Sequence, residues 1–75
     1  MKDIFNGIRY DTDVAEAIAE AEGTTLYCGQ NGHWFKLRPD DHIITMSEGE
    51  AFEWLQAQSK VEALEKHFAE RIEDA

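Results

Sequence analysis

The run Thr24 to Arg38 (TTLYCGQNGHWFKLR) holds Asn31-Gly32 between two apolar-alternating segments, and no other feature restricts the fold as much. Asn-Gly in that setting marks a two-residue hairpin, because a type I′ turn needs positive φ at both central positions. With those two residues as the loop, Cys28 faces Phe35, Tyr27 faces Lys36 and Leu26 faces Leu37. Period-two alternation then predicts a core face of Leu26, Cys28, Phe35 and Leu37. The opposite face carries Tyr27, Trp34, Lys36 and Arg38, the one positive island in an acidic chain.

Seventy-five residues set the scale of a single domain, near the lower limit at which one core suffices. The 43% hydrophobic fraction and eight aromatic side chains argue for a folded chain rather than a disordered acidic tail. A lone cysteine, Cys28, forms no internal disulfide, and no apolar run reaches the roughly 18 residues of a membrane span. A cytoplasmic protein is the expectation. The formal charge of −9 opposes direct binding to nucleic acid or to an anionic membrane, since both need cationic surface. It suits either solubility alone or docking on a basic partner.

Along the chain, Asn6-Gly7 stands between Ile4-Phe5 and Ile8-Arg9-Tyr10 and predicts a short strand or a small hairpin. Thr12 offers an N-cap, Val14, Ala17, Ile18 and Ala21 recur at helical spacing, and Gly23 fits a helix stop. A helix over about 13–22 is expected, with Asp13, Glu16 and Glu20 on its solvated face. After the hairpin, Pro39 predicts a turn, and residues 42–46 (HIITM) a strand. Ser47 with Glu50 has capping-box spacing and starts a second helix.

From Ala51 to the end there is no glycine or proline. A continuous helix over 48–74 would be ~40 Å long at ~1.5 Å per residue, too long for a domain of about 11 Å radius of gyration. Either Ser59 and Glu62, a second capping-box pair, restart the helix after a break near Gln58, or the helix protrudes. A stripe of Trp54, Val61, Leu64, Phe68 and Ile72 needs burial in both cases, so a homodimer is a second expectation. The predicted class is α+β, a small antiparallel meander packed with helices in the order β-α-β-β-β-α(-α). The expected division is a core over 1–58 and a helical extension over 59–75.

Gly7-Ile8-Arg9-Tyr10-Asp11-Thr12, Thr25-Leu26-Tyr27, Gly32-His33-Trp34-Phe35-Lys36-Leu37 and Glu48-Gly49-Glu50-Ala51-Phe52-Glu53-Trp54-Leu55 resemble a family of small bacterial proteins common on mobile elements. The likeness covers about three quarters of the chain, and its motifs are of fold rather than catalysis. It implies the order of strands and helices. Relatives of that kind stop shortly after the Trp-Leu pair, so Gln56 to Ala75 departs from the pattern. A mobile-element setting implies anti-defence roles, including anti-CRISPR-like inhibition.

Chemistry-bearing patterns are absent from the spacing. Cys28, His33, His42 and His67 form no Cys-x-x-Cys, His-Glu-x-x-His or Glu-x-x-His set, and Gly29 and Gly32 straddle a turn instead of opening a helix. Neither a catalytic role nor a cofactor or metal is expected. The leading expectation is a non-enzymatic module docking on a basic protein surface through Asp13, Glu16, Glu20, Glu62, Glu65, Glu70 and Glu73. A homodimer through the C-terminal stripe is one alternative. The other is a nucleic-acid binder through Tyr27, Trp34, Lys36 and Arg38, whose aromatic and basic mixture is that of a stacking platform.

Overall fold

A computed structural model describes residues 1–75 as an antiparallel α+β fold in three layers. Strands β1 (Lys2–Phe5) and β2 (Ile8–Asp11) form a hairpin that covers one face of a four-stranded sheet. That sheet runs β3 (Glu16–Ala21), β4 (Thr24–Cys28), β5 (Trp34–Leu37), β6 (Ile43–Met46) in sequence order. Helices α1 (Glu48–Ala57) and α2 (Val61–His67) cover the other face, followed by a 3₁₀ turn at Ala69–Arg71.

The expected α+β class holds, with one element changed in kind. Residues 16–21 are the edge strand β3, not a helix. Val14, the first residue of the expected helical stripe, is 60% exposed, so that stripe buries little. Alanines at 15, 17, 19 and 21 alternate with other residues, a strand period that the bulge between Ala17 and Ala19 interrupts once. Pairing with β4 outweighs the alanines' helical propensity. The residues read as caps serve turns instead. Asp11 Oδ1 accepts from the Asp13 amide, Thr12 Oγ1 contacts the terminal amine of Met1, and Glu22-Gly23 (φ 53° and 80°) is the two-residue turn from β3 to β4.

The central hairpin differs by one residue from the expected register. Tyr27 pairs with Phe35 and Cys28 with Trp34. Gly29 donates its amide to the His33 carbonyl at 2.8 Å, and Gly32, at φ 79°, donates to the Gly29 carbonyl. Gln30, Asn31 and Gly32 are therefore a three-residue loop closed by a left-handed glycine, and only Gly32 needs positive φ. The true two-residue Asn-Gly turn is Asn6-Gly7, where both φ values are positive and Phe5 pairs with Ile8.

One residue of slip turns every β5 side chain to the other face. Trp34 joins Leu26, Ala51, Leu55 and Phe68 in the core beneath the helices, with Cys28 and Met46 at its edge. Phe35 joins Tyr10 and Ile43 beneath the hairpin, where Tyr27 stacks on Phe35 at 5.2 Å and 11°. The sheet thus has two apolar faces, each with its own cover.

The C-terminal helix is broken. The amide of Lys60 reaches the Leu55 carbonyl and that of Ser59 the Gln56 carbonyl, with Ser59 at φ 55°. This is a Schellman closure with serine in the left-handed position. Ser59 ends α1 rather than capping α2, whose N-terminal flank, Lys60, makes no side-chain cap bond. The expected capping box at Ser47 and Glu50 is present, with bonds of 3.1 and 2.8 Å. No helix is long and apolar enough to cross a membrane.

Candidate functional site

The acids expected to act together fall into two places. β3 is a sheet edge, and its bulge between Ala17 and Ala19 puts Glu16 on the helix-covered face with Cys28 and Glu20 on the other face with Thr25. Glu20 accepts from the Thr25 hydroxyl at 3.4 Å. Asp13 is exposed in the turn before β3. Helix α2 lies against this edge. Lys66 Nζ is 3.6 Å and His67 Nε2 4.0 Å from Glu16 Oε2, and residues 60–63 share a groove with Ile18 and Ala19. Glu62 on α2 lines that groove beside β3, and Glu65 is exposed three residues further along the helix. Glu70, in the 3₁₀ turn, and Glu73 beyond it are exposed further along the chain.

Glu16 alone among these seven has a basic partner. Sequence reasoning missed Glu22, exposed at the tip of the β3–β4 turn on the same edge, because it was read as the end of a helix. Its signal is the Glu-Gly pair, a weaker I′ marker than Asn-Gly.

The four residues expected as an aromatic-basic platform do not share a face. Trp34 is buried under the helices, with His67 edge-on at 6.0 Å and Phe68 stacked at 5.2 Å. Tyr27 lies under the hairpin on the far side of the sheet. Lys36 pairs with Ile44 on the helix side near Glu50, and Arg38 binds Asp40 at 3.2 Å. The hairpin slip is the reason for the separation.

The apolar stripe is also dispersed. Phe68 belongs to the core, Trp54 and Leu64 pack against it, and Val61 and Ile72 stay 58% and 44% exposed. Arg71 covers the Phe52 ring at 4.5 Å and reaches Glu48 at 3.9 Å, fastening the chain end over α1.

Two ionisable groups depart from their ordinary values. Burial, with the Glu16 charge added, pushes the Cys28 thiol up and so disfavours its thiolate. The Ser47 amide and hydroxyl hold the Glu50 carboxyl below its usual range. No three His, Cys, Asp or Glu side chains converge as a metal-ligating group. A cleft of about 390 Å³ opens between the β1–β2 hairpin and the β4–β5 loop over Tyr10, His33 and Phe35, and none of the seven acids lines it.

No family model, curated protein or solved structure matches the chain, so the likeness to mobile-element proteins rests on its quoted residues alone. What the geometry brings together is one charged side: the β3 edge with its flanking turns, and α2 above it.

Proposed function

We propose that this protein is a non-enzymatic interaction module that docks its β3–α2 side on a basic protein surface. One observation carries the reading. Asp13, Glu20, Glu22 and Glu62 are exposed on β3, its flanking turns and the helix beside it, and none has a cationic partner within the chain. Uncompensated charge at this density raises self-repulsion in the free protein and is relieved by a cationic surface. A basic partner is steered to it quickly, with association that weakens as salt rises. The partner class that fits best is a nucleic-acid-binding protein whose phosphate-binding groove the carboxylates occupy. The sharpest form, drawn from the mobile-element likeness, is an inhibitor of a nucleic-acid-guided defence complex.

The test reverses Asp13, Glu20 and Glu22 to Lys, leaving Glu16 and its contact with Lys66 intact. Wild type immobilised against native cell extract is expected to retain a basic protein that salt or duplex DNA displaces. The triple variant, with an unchanged circular dichroism spectrum, should retain none of it. Equal retention by both would reject this surface.

A further inference from the structure

Each sheet edge but one is guarded. Edge strands invite pairing with another chain, and charged residues or bulges block it. β1 carries Lys2 and Asp3, β2 carries Arg9 and Asp11, and β3 carries Glu16, Glu20 and a bulge. β6, Ile-Ile-Thr-Met, is the exception: an edge strand with no charge, no proline and no register shift.

The direction of its free backbone groups follows from the adjoining turn. Arg38 donates to the His42 carbonyl at 3.0 Å, so residue 42 bonds toward β5. In an antiparallel ladder the bonding residues alternate, so Ile44 and Met46 also face β5, while Ile43 and Thr45 direct N–H and C=O outward. Neither Ile43 nor Thr45 takes part in any backbone bond outside the ladders. Beside them a groove of about 300 Å³ runs between β6 and β1, with Met1 and Phe5 partly exposed along it. Ile44 is 36% exposed on the strand itself.

From this we infer that β6 pairs antiparallel with β6 of a second copy, joining two four-stranded sheets into one of eight. Two arguments select a second copy over a foreign strand. The first is self-complementarity. With Ile44 on the two-fold axis, Ile43 of one protomer meets Thr45 of its partner and the reverse. Each such pair exchanges both backbone bonds, and the two Ile44 side chains meet at the close, non-bonded position.

The second argument is charge. Two chains of −9 repel, yet β6 itself carries no charge and most of the charges near it are paired. Arg38 balances Asp40, Arg71 balances Glu48, Lys36 stands beside Glu50, and Lys2 precedes Asp3, which leaves Asp41 and, beside Arg71, Glu70 unmatched. Asp13, Glu16, Glu20, Glu22 and Glu62, against Lys60 and Lys66, place part of the excess on the β3–α2 side, at the opposite edge of the sheet. An edge without net charge offers a basic peptide nothing to select it, whereas it lets like chains approach once the far-side repulsion is screened.

Sedimentation of the full chain from micromolar to millimolar concentration tests this at about 0.01 M and 1 M ionic strength. The expected result is a mass rising from one chain to two, at lower protein concentration in high salt, with the Ile43 and Thr45 amides protected from exchange as the dimer forms. That salt dependence is opposite in sign to the one expected for a basic partner, so this inference and the proposed function stand or fall separately. Ile44→Lys sets two cations against each other and should weaken association by about tenfold or more. Thr45→Pro removes an outward donor without touching a β5 bond and should abolish it. If the proline variant does not fold, the lysine variant decides. A single-chain mass under every condition overturns the inference, and so does a dimer whose Ile43 and Thr45 amides exchange freely or that Ile44→Lys leaves unchanged.

Discussion

Trp34 and Phe68 stack with ring centroids 5.2 Å apart and planes 27° from parallel, both almost wholly buried. The contact joins the first residue of β5 to a residue beyond the last helix, so the C-terminal segment closes the core rather than extending from it. Phe52 meets Phe68 edge-on at 5.2 Å, and Arg71 lies over Phe52, which anchors both sides of the closure.

Phe68→Ala should therefore cost about 3–5 kcal/mol, as large-to-small substitutions of buried aromatics do. A chain of 75 residues has about 4–11 kcal/mol in all, so the variant will be marginal or unfolded at room temperature. Urea denaturation followed by tryptophan emission in a Trp54→Phe background checks this, since the Trp34 indole is shielded from water. Phe68→Leu keeps most of the apolar volume and should lose much less.

Ser59→Gly should stabilise the protein by about 0.5–1 kcal/mol, because serine pays a steric penalty at φ 55° that glycine does not. The sign discriminates between helix arrangements. In an uninterrupted helix the same change would destabilise by about 0.5 kcal/mol. A raised thermal midpoint supports the Schellman closure, and a lowered one contradicts it.

How legible this fold was depends on which signals were local. The capping box of Ser47 and Glu50 and the turn at Pro39 were readable because each is completed within a few residues. The Asn6-Gly7 turn was readable for the same reason. Residues 13–22 were misread because Val14, Ala17, Ile18 and Ala21 satisfy a helical period while the alanines at 15, 17, 19 and 21 satisfy a strand period. Only a partner strand, distant information for a local pattern, decides between them. The Asn31-Gly32 register was misread because one glycine in the left-handed region serves either a two- or a three-residue loop, and that single residue decides whether Trp34 or Phe35 faces the helices. The acidic side was legible as composition. Its geometry was not, since it depends on the β3 bulge and on α2 folding back over that edge.

Gly23→Ala and Gly32→Ala should both destabilise, by about 1 kcal/mol each from backbone strain at φ near 80°. The Gly23 variant should lose more. A Cβ there would stand 3.0 Å from Pro39 Cγ, whereas nothing lies within 4 Å at Gly32. Equal losses in chemical denaturation would mean that the β5–β6 turn does not pack against the β3–β4 turn.

The capping box also sets an acid-side dependence. Ser47 holds the Glu50 carboxyl below its ordinary value of 4.5 through its amide and its hydroxyl. Between the lowered folded value and 4.5 the unfolded chain binds more protons than the folded one, so stability rises with pH across that interval. The contribution is complete above 4.5 and is lost as pH falls through the folded value. Glu50→Gln keeps an acceptor for the Ser47 amide but has no charge to lose, so its stability should be flat where the wild type's falls. The gap between the two, measured by urea unfolding at a series of pH values, should close under acid. Ser47→Ala removes the N-cap, should cost about 1 kcal/mol near neutral pH, and should move the Glu50 titration back toward 4.5. A wild-type Glu50 carboxyl titrating at its ordinary value by carbon NMR would show that the box is not formed in solution, and α1 would then start without its reciprocal cap.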